Sequence, residues 1–164
     1  MASCVFPGSF DPVTRGHLDL ISRVSRIFEH VTVTVMVNIS KSGSLPAEKR
    51  AELLRKACAP FPNVSVDCWG GLLADYMREK NESVIVRGLR GADELERETG
   101  AAAANRMLNG RIETVFFPTD PALIGISSSA VREIAAFGGD ISAFVPDGLT
   151  EEIAALLSKK LKRE

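Results

Sequence analysis

Apolar and polar positions change rhythm repeatedly along the chain. Short, β-branched apolar runs at residues 3–6, 31–37, 64–67, 84–86 and 114–117 predict strands. Apolar residues recurring at three- and four-residue spacing predict helices over 17–28, 47–59, 72–80, 93–108, 128–137 and 150–161. Strand-like and helical stretches alternate. That alternation predicts an α/β fold, a parallel sheet with helices on both faces. No linker, low-complexity tract or internal repeat divides the 164 residues, so one domain spanning 1–164 is expected.

Two places interrupt the rhythm in a chemically suggestive way. Cys4-Val5-Phe6-Pro7 leads into Gly8-Ser9-Phe10-Asp11-Pro12-Val13-Thr14-Arg15-Gly16-His17. A glycine-containing turn between a buried strand and a helix brings backbone N–H groups and the positive helix end toward an anion. His17 falls at the start of that helix, beside Gly16, within reach of the same anion. Val84-Ile85-Val86 is followed at once by Arg87-Gly88-Leu89-Arg90-Gly91, which offers two guanidinium forks suited to phosphate oxygens. Ligands of open α/β sheets bind beyond the strand carboxyl ends, where strand order reverses. If the first and fourth strands are neighbours there, both loops face one crevice, and the order 3-2-1-4-5 achieves this.

Composition narrows the partner classes. The chain is 45% hydrophobic and 25% charged, as in ordinary globular proteins, and its formal net charge is −1. No global basic field points to nucleic acid, so any anion site is local. No apolar run approaches the roughly 18 residues of a membrane span. Nothing at the start of the chain reads as a secretion signal. Three scattered cysteines, Cys4, Cys58 and Cys68, form neither a CxxC nor a His/Cys cluster. They read as reduced thiols of a cytoplasmic protein, with no metal site expected.

Other polar residues have a plain reading beside a functional one. Lys41 lies in a polar loop after the second strand, at the same sheet end as the two loops. Glu98, on the helix after Arg90, reads as a solvated charge or a site residue. Ser127, Ser128 and Ser129 precede a helix; they can cap it, and they can equally offer donors to a polyphosphate. His30 reads as a cap or surface residue. Met77 and Met107 read as core or interface packing. Neither GxxxxGK[ST] nor GxGxxG is present, and no nucleophile–base set assembles. Cations, glycine turns and hydroxyls without an obvious nucleophile suit a reaction whose nucleophile is itself a phosphate.

Gly8-Ser9-Phe10-Asp11-Pro12 with Thr14-Arg15-Gly16-His17, then Arg87-Gly88-Leu89-Arg90, then Ile126-Ser127-Ser128-Ser129, resemble bacterial phosphopantetheine adenylyltransferases over nearly the whole chain. The first and last elements are shared across the nucleotidyltransferase superfamily. RGLR, with threonine rather than histidine at position 14, is the narrower signal. The resemblance implies a Rossmann-like adenylyltransferase fold and a reaction in coenzyme A biosynthesis. In it, ATP, with Mg²⁺, and 4′-phosphopantetheine give dephospho-coenzyme A and pyrophosphate. It implies His17, Lys41 and Arg90 as catalytic residues. It places Ser9, Lys41, Leu73 and Arg87 on phosphopantetheine. It places Ser9, Phe10, His17, Gly88, Leu89, Arg90, Glu98, Leu123, Ile124, Gly125, Ile126, Ser127, Ser128 and Ser129 on ATP. It also implies a homohexamer. Two stretches depart from the family pattern: Leu123-Ile124-Gly125, where an aromatic is usual, and Leu95 to Gly100 followed by four alanines. Two rival functions are an adenylyltransferase for another acceptor, such as nicotinamide mononucleotide, and a non-catalytic nucleotide-binding module.

Overall fold

The computed structural model describes residues 2–37 and 43–161, with side chains described through Ser158. Lys41 lies outside the described residues. The elements are β1 (Ser3–Gly8), α1 (Arg15–Ser25), β2 (His30–Met36), α2 (Ala47–Cys58), β3 (Val64–Trp69), α3 (Leu73–Glu79), β4 (Val84–Leu89), α4 (Ala92–Leu108), β5 (Glu113–Pro118), a 3₁₀ turn (Pro121–Leu123), α5 (Ser128–Ala136) and α6 (Thr150–Leu161). The strands form one parallel sheet of order β3-β2-β1-β4-β5, as expected.

Period-2 alternation distributes the strand side chains between two cores. Cys4 and Phe6 of β1, the valines Val31, Val33 and Val35 of β2, and Val86 of β4 face one side. There they pack on Leu20, Ile21 and Val24 of α1, Leu53 and Leu54 of α2, Val131 of α5 and Ile153 of α6. Val5 and Ile85 face the other side, with Ala74, Tyr76 and Met77 of α3. Met77 is therefore core. Met107 is not: α4, which runs alongside α3, β4 and β5, has no buried residue in this chain, and Met107 is 88% exposed.

The structure corrects one boundary that matters. β4 does not stop at Val86. Arg87, Gly88 and Leu89 continue the strand, paired with Phe116, Phe117 and Pro118 of β5. Only Arg90 and Gly91 turn the chain into α4. The reason is tertiary: Arg and Gly are poor strand formers, and the β5 ladder overrides their local preference. A Cβ at Gly88 would also overlap Cδ1 of Leu20, so that side chain would have to shift to admit a larger residue. β1 likewise runs on to Gly8, and β3 to Trp69.

The cysteines are free thiols, Cys4 and Cys58 buried and Cys68 half-buried. Burial pushes the Cys4 thiol up to about 12 and Cys58 to about 11, so both stay protonated and unreactive. His30 is exposed at the start of β2, with Nε2 2.9 Å from Ser65 Oγ. Among the described residues no helix is long and apolar enough to cross a membrane.

Candidate active site

A cleft of about 350 Å³ opens at the carboxyl ends of β1 and β4, where the strand order reverses. Its floor is the β1–α1 turn. Its walls are the end of β4, the start of α4 and the start of α5.

His17 is fixed by a reciprocal cap. Thr14 is the N-cap of α1; its Oγ1 accepts from the His17 N–H at 3.4 Å. In return the Thr14 N–H donates to His17 Nδ1 at 3.1 Å, with Thr14 Oγ1 also 3.1 Å from that nitrogen. Nδ1 therefore carries the lone pair, and the proton of the neutral ring sits on Nε2. Burial, then the charges of Arg90 and Arg87, lower the His17 pKa from 6.5 to about 4. At neutral pH the ring is an uncharged Nε2–H donor. Phe10 supports it from below: its ring meets His17 edge-on, with centroids 4.9 Å apart. Phe10 is itself 1% exposed and holds φ +46°, a left-handed conformation uncommon for a bulky residue.

The two arginines of the β4 end are each held by a glutamate of α4. Arg87 donates through Nε and Nη2 to Glu98 at 2.7 and 2.9 Å, and through Nη1 to the Pro7 carbonyl at 2.7 Å. One N–H on each terminal nitrogen is left over. Arg90 donates through Nε to Glu94 Oε1 at 2.8 Å, and its own N–H donates to Glu94 Oε2 at 2.9 Å. Arg132, on α5, donates to the Asp11 carbonyl and, at 3.1 Å, to Ser129 Oγ. Three guanidinium groups against two carboxylates leave the lining net positive by one.

The serine cluster caps its helix, the first of its two readings. Ser127 is the N-cap of α5, its Oγ accepting from the Ala130 N–H at 3.1 Å. Ser128 Oγ donates to the Pro12 carbonyl at 2.7 Å, tying α5 to the floor. All three serines and Ile126 line the cleft, so the positive end of α5 faces it.

Ser9, Phe10, His17, Arg87, Gly88, Arg90, Glu98, Ile126, Ser127, Ser128 and Ser129 thus come together in one cleft. Leu89, Leu73, Leu123, Ile124 and Gly125 are not in its lining. Leu89 shares a strand face with Arg87, but only Arg87 is part of the lining. Leu73 opens α3 and packs beside Trp69 against the second core. Leu123 lines a separate shallow hollow with Arg15 and Phe61, while the carbonyls of Leu123 and Ile126 face Gly16. Glu94 and Arg132 line the cleft without having been singled out from sequence. Glu94 stands four residues after Arg90, and Arg132 four after Ser128, spacings that put each pair on one helical face or its approach.

A profile of the cytidylyltransferase-like family matches residues 5–134. The fold, the switch-point cleft and that match make the chain a cytidylyltransferase-like nucleotidyltransferase. Its relatives narrow this. A phosphopantetheine adenylyltransferase of Rubrobacter xylanophilus is 46% identical over 159 residues, covering 97% of both chains. One of Clostridium perfringens is 44% identical over 154 residues, covering 94% of both. The chain belongs to the phosphopantetheine adenylyltransferase family. A crystal structure titled a putative nicotinate-nucleotide adenylyltransferase from Vibrio parahaemolyticus shares the fold, with a TM-score of 0.69 over 98% of both chains at 18% identity.

Proposed function

We propose that the cleft transfers the adenylyl group of Mg·ATP to the phosphate of 4′-phosphopantetheine, giving dephospho-coenzyme A and pyrophosphate. One observation carries this reading. The cleft gathers an uncharged Nε2–H donor, three guanidinium groups and a helix N-terminus, while its two carboxylates are committed to arginines. Such a lining stabilises charge on phosphorus and supplies no nucleophile or base. A phosphate acceptor needs neither, because it is already anionic at neutral pH.

An oxygen of the acceptor phosphate attacks the α-phosphorus of ATP. The bond from that phosphorus to the β-phosphate bridge breaks, and pyrophosphate leaves. His17 donates Nε2–H to the α-phosphate as charge grows. Arg90, Arg132 and the α5 start hold the departing phosphates. Arg87 and Lys41 hold the attacking one, with Ser9 beside it. Mg²⁺ would come with the nucleotide, where it would offset charge on the ATP phosphates.

Self-association through α4 belongs to the same proposal. A 17-residue helix with no residue buried in its own chain, bearing Leu95, Met107 and Leu108, has a face to cover, and six copies are the family expectation. Protonated buried thiols fit a cytoplasmic setting. Pyrophosphate release from Mg·ATP with 4′-phosphopantetheine tests the activity, with nicotinamide mononucleotide as the rival acceptor. A preference on the order of 10² in kcat/KM for phosphopantetheine is expected. Comparable efficiencies would refute the acceptor, and absence of turnover the reaction.

A further inference from the structure

Helix α4 turns an unusual pair of residues inward. From residue 91 to residue 100 every residue is exposed except Glu94 and Glu98, and even Leu95 is 45% exposed. A helix laid on a sheet ordinarily covers it with an apolar stripe. Here two carboxylates, four residues apart and so on one helix face, take that place. Both oxygens of Glu98 accept from Arg87, through Nε at 2.7 Å and Nη2 at 2.9 Å. Glu94 Oε1 accepts from Arg90 Nε at 2.8 Å and also from its Nη2, while Oε2 accepts the Arg90 backbone N–H at 2.9 Å. All four residues line the cleft.

Ion pairs that water reaches, as it reaches these, contribute little to stability. Each carboxylate also cancels a positive charge that would attract a phosphate. What it supplies is orientation. A free arginine side chain explores many rotamers, and a ligand that must immobilise it gives up part of its affinity. A two-point grip fixes the guanidinium plane beforehand. Arg87, which also donates to the Pro7 carbonyl, keeps one unused N–H on each terminal nitrogen, a pair that can meet two oxygens of one phosphate. Arg90 keeps both N–H groups of Nη1 and one on Nη2.

We propose that Glu94 and Glu98 are positioning residues that aim one arginine each. Glu98 aims Arg87 at the acceptor phosphate, and Glu94 aims Arg90 at the phosphates of ATP. The division between two substrates rests on the proposed function. It also alters what is expected of Glu98, which the family resemblance places on ATP: with both oxygens on Arg87, its effect falls on the acceptor.

Calorimetry on E98Q and E94Q tests it, with 4′-phosphopantetheine and Mg·ATP in separate titrations. Glutamine keeps the length of the side chain and loses the charge and the second acceptor. E98Q should weaken phosphopantetheine about 3- to 10-fold, the scale of ordering one long side chain, and ATP less than about 2-fold. E94Q should show the reverse. E98D, which keeps the charge on a shorter arm, should lie between wild type and E98Q. Each effect should need its arginine: R87A/E98Q should bind phosphopantetheine no more weakly than R87A, and R90A/E94Q should bind ATP no more weakly than R90A. In pyrophosphate-release assays the same split should appear in the KM values of the two substrates. Tighter binding of both ligands overturns the proposal, because removal of a negative charge alone would do that. So does an E98Q that weakens ATP as much as the acceptor, which would put Glu98 on the nucleotide. Lower thermal stability with both affinities unchanged would make the pairs anchors of α4 only, and so would failure of both E98Q and E98D to fold. Absence of turnover in the wild type would instead refute the proposed function; the calorimetric split needs no turnover and still tests the two glutamates.

Discussion

Acid should destabilise this protein through His17, and by an amount that can be worked out. The folded ring has a pKa of about 4 against an ordinary 6.5. The unfolded chain therefore binds a proton on this residue before the folded chain does. The sign follows: His17 contributes no pH dependence above about 6.5, erodes stability as pH falls from 6.5 to 4, and adds nothing further below that. At pH 5 the difference in proton binding amounts to about 2 kcal/mol, an upper figure because the ring is half-buried rather than sealed. The assay is urea unfolding of the wild-type chain and His17→Gln at pH 7.5 and pH 5. The glutamine does not titrate, so pH effects from all other groups cancel in the comparison. The wild type should lose about 2 kcal/mol more than the variant across that interval. With only two histidines in the chain, proton NMR offers a second reading: the His17 ring should titrate near 4. Inorganic pyrophosphate in the cleft should raise the lower midpoint, because an anion favours the imidazolium. Identical acid sensitivity of the two proteins, or a His17 midpoint between 6 and 7, would refute the neutral-donor assignment and the mechanism built on it.

Three further outcomes are expected. His17→Ala should fold and lose about 10²–10³ in kcat, the usual cost of one transition-state donor; an unchanged kcat removes it from the catalytic set. Arg87→Ala and Lys41→Ala should weaken phosphopantetheine more than ATP, and Arg90→Ala should weaken ATP and pyrophosphate, which calorimetry on each ligand resolves; equal losses for both ligands contradict the assignment. Gly88→Ala should destabilise by about 1–3 kcal/mol, since the new methyl displaces Leu20 from a packed core, and thermal melting that leaves Tm unchanged would show that Leu20 has room.

Much of this architecture is readable in the sequence because its signals are local. Valines alternating in β2 and the apolar spacing of α1 and α2 are periodicities that the core enforces directly. The Thr14–His17 and Ser127–Ala130 caps lie three residues apart, so the residue pattern shows them. What was not legible depends on distant partners. Arg87-Gly88-Leu89 is unremarkable as a strand until β5 pairs with it. Glu94 and Arg132 look like solvated helix charges until the turn after β4 and the floor turn arrive beside them. Leu89 follows the motif closely and shares a strand face with Arg87, yet it is outside the lining. Asp11 and Ser44 lie 33 residues apart and Arg50 and Ser9 41. No window of sequence holds either contact.

The floor turn shows why so much of the site is tertiary. Its carbonyl oxygens would present negative dipoles beside the phosphates that the proposed reaction brings to the cleft. Four of these carbonyls are engaged by side-chain donors from elsewhere. Pro7 accepts from Arg87 on β4, Ser9 from Arg50 on α2, Asp11 from Arg132 on α5, and Pro12 from the Ser128 hydroxyl. Three of those donors carry full positive charge, which offsets the carbonyl dipoles and orients them toward the protein. Arg87 and Arg132 do this while also lining the cleft, so the same cations that shape the turn lie within reach of its ligand. The GSFDP segment is therefore not a self-contained phosphate loop. Its carbonyls are engaged only where β4, α2 and α5 have all docked, which ties its geometry to the strand order of the whole sheet.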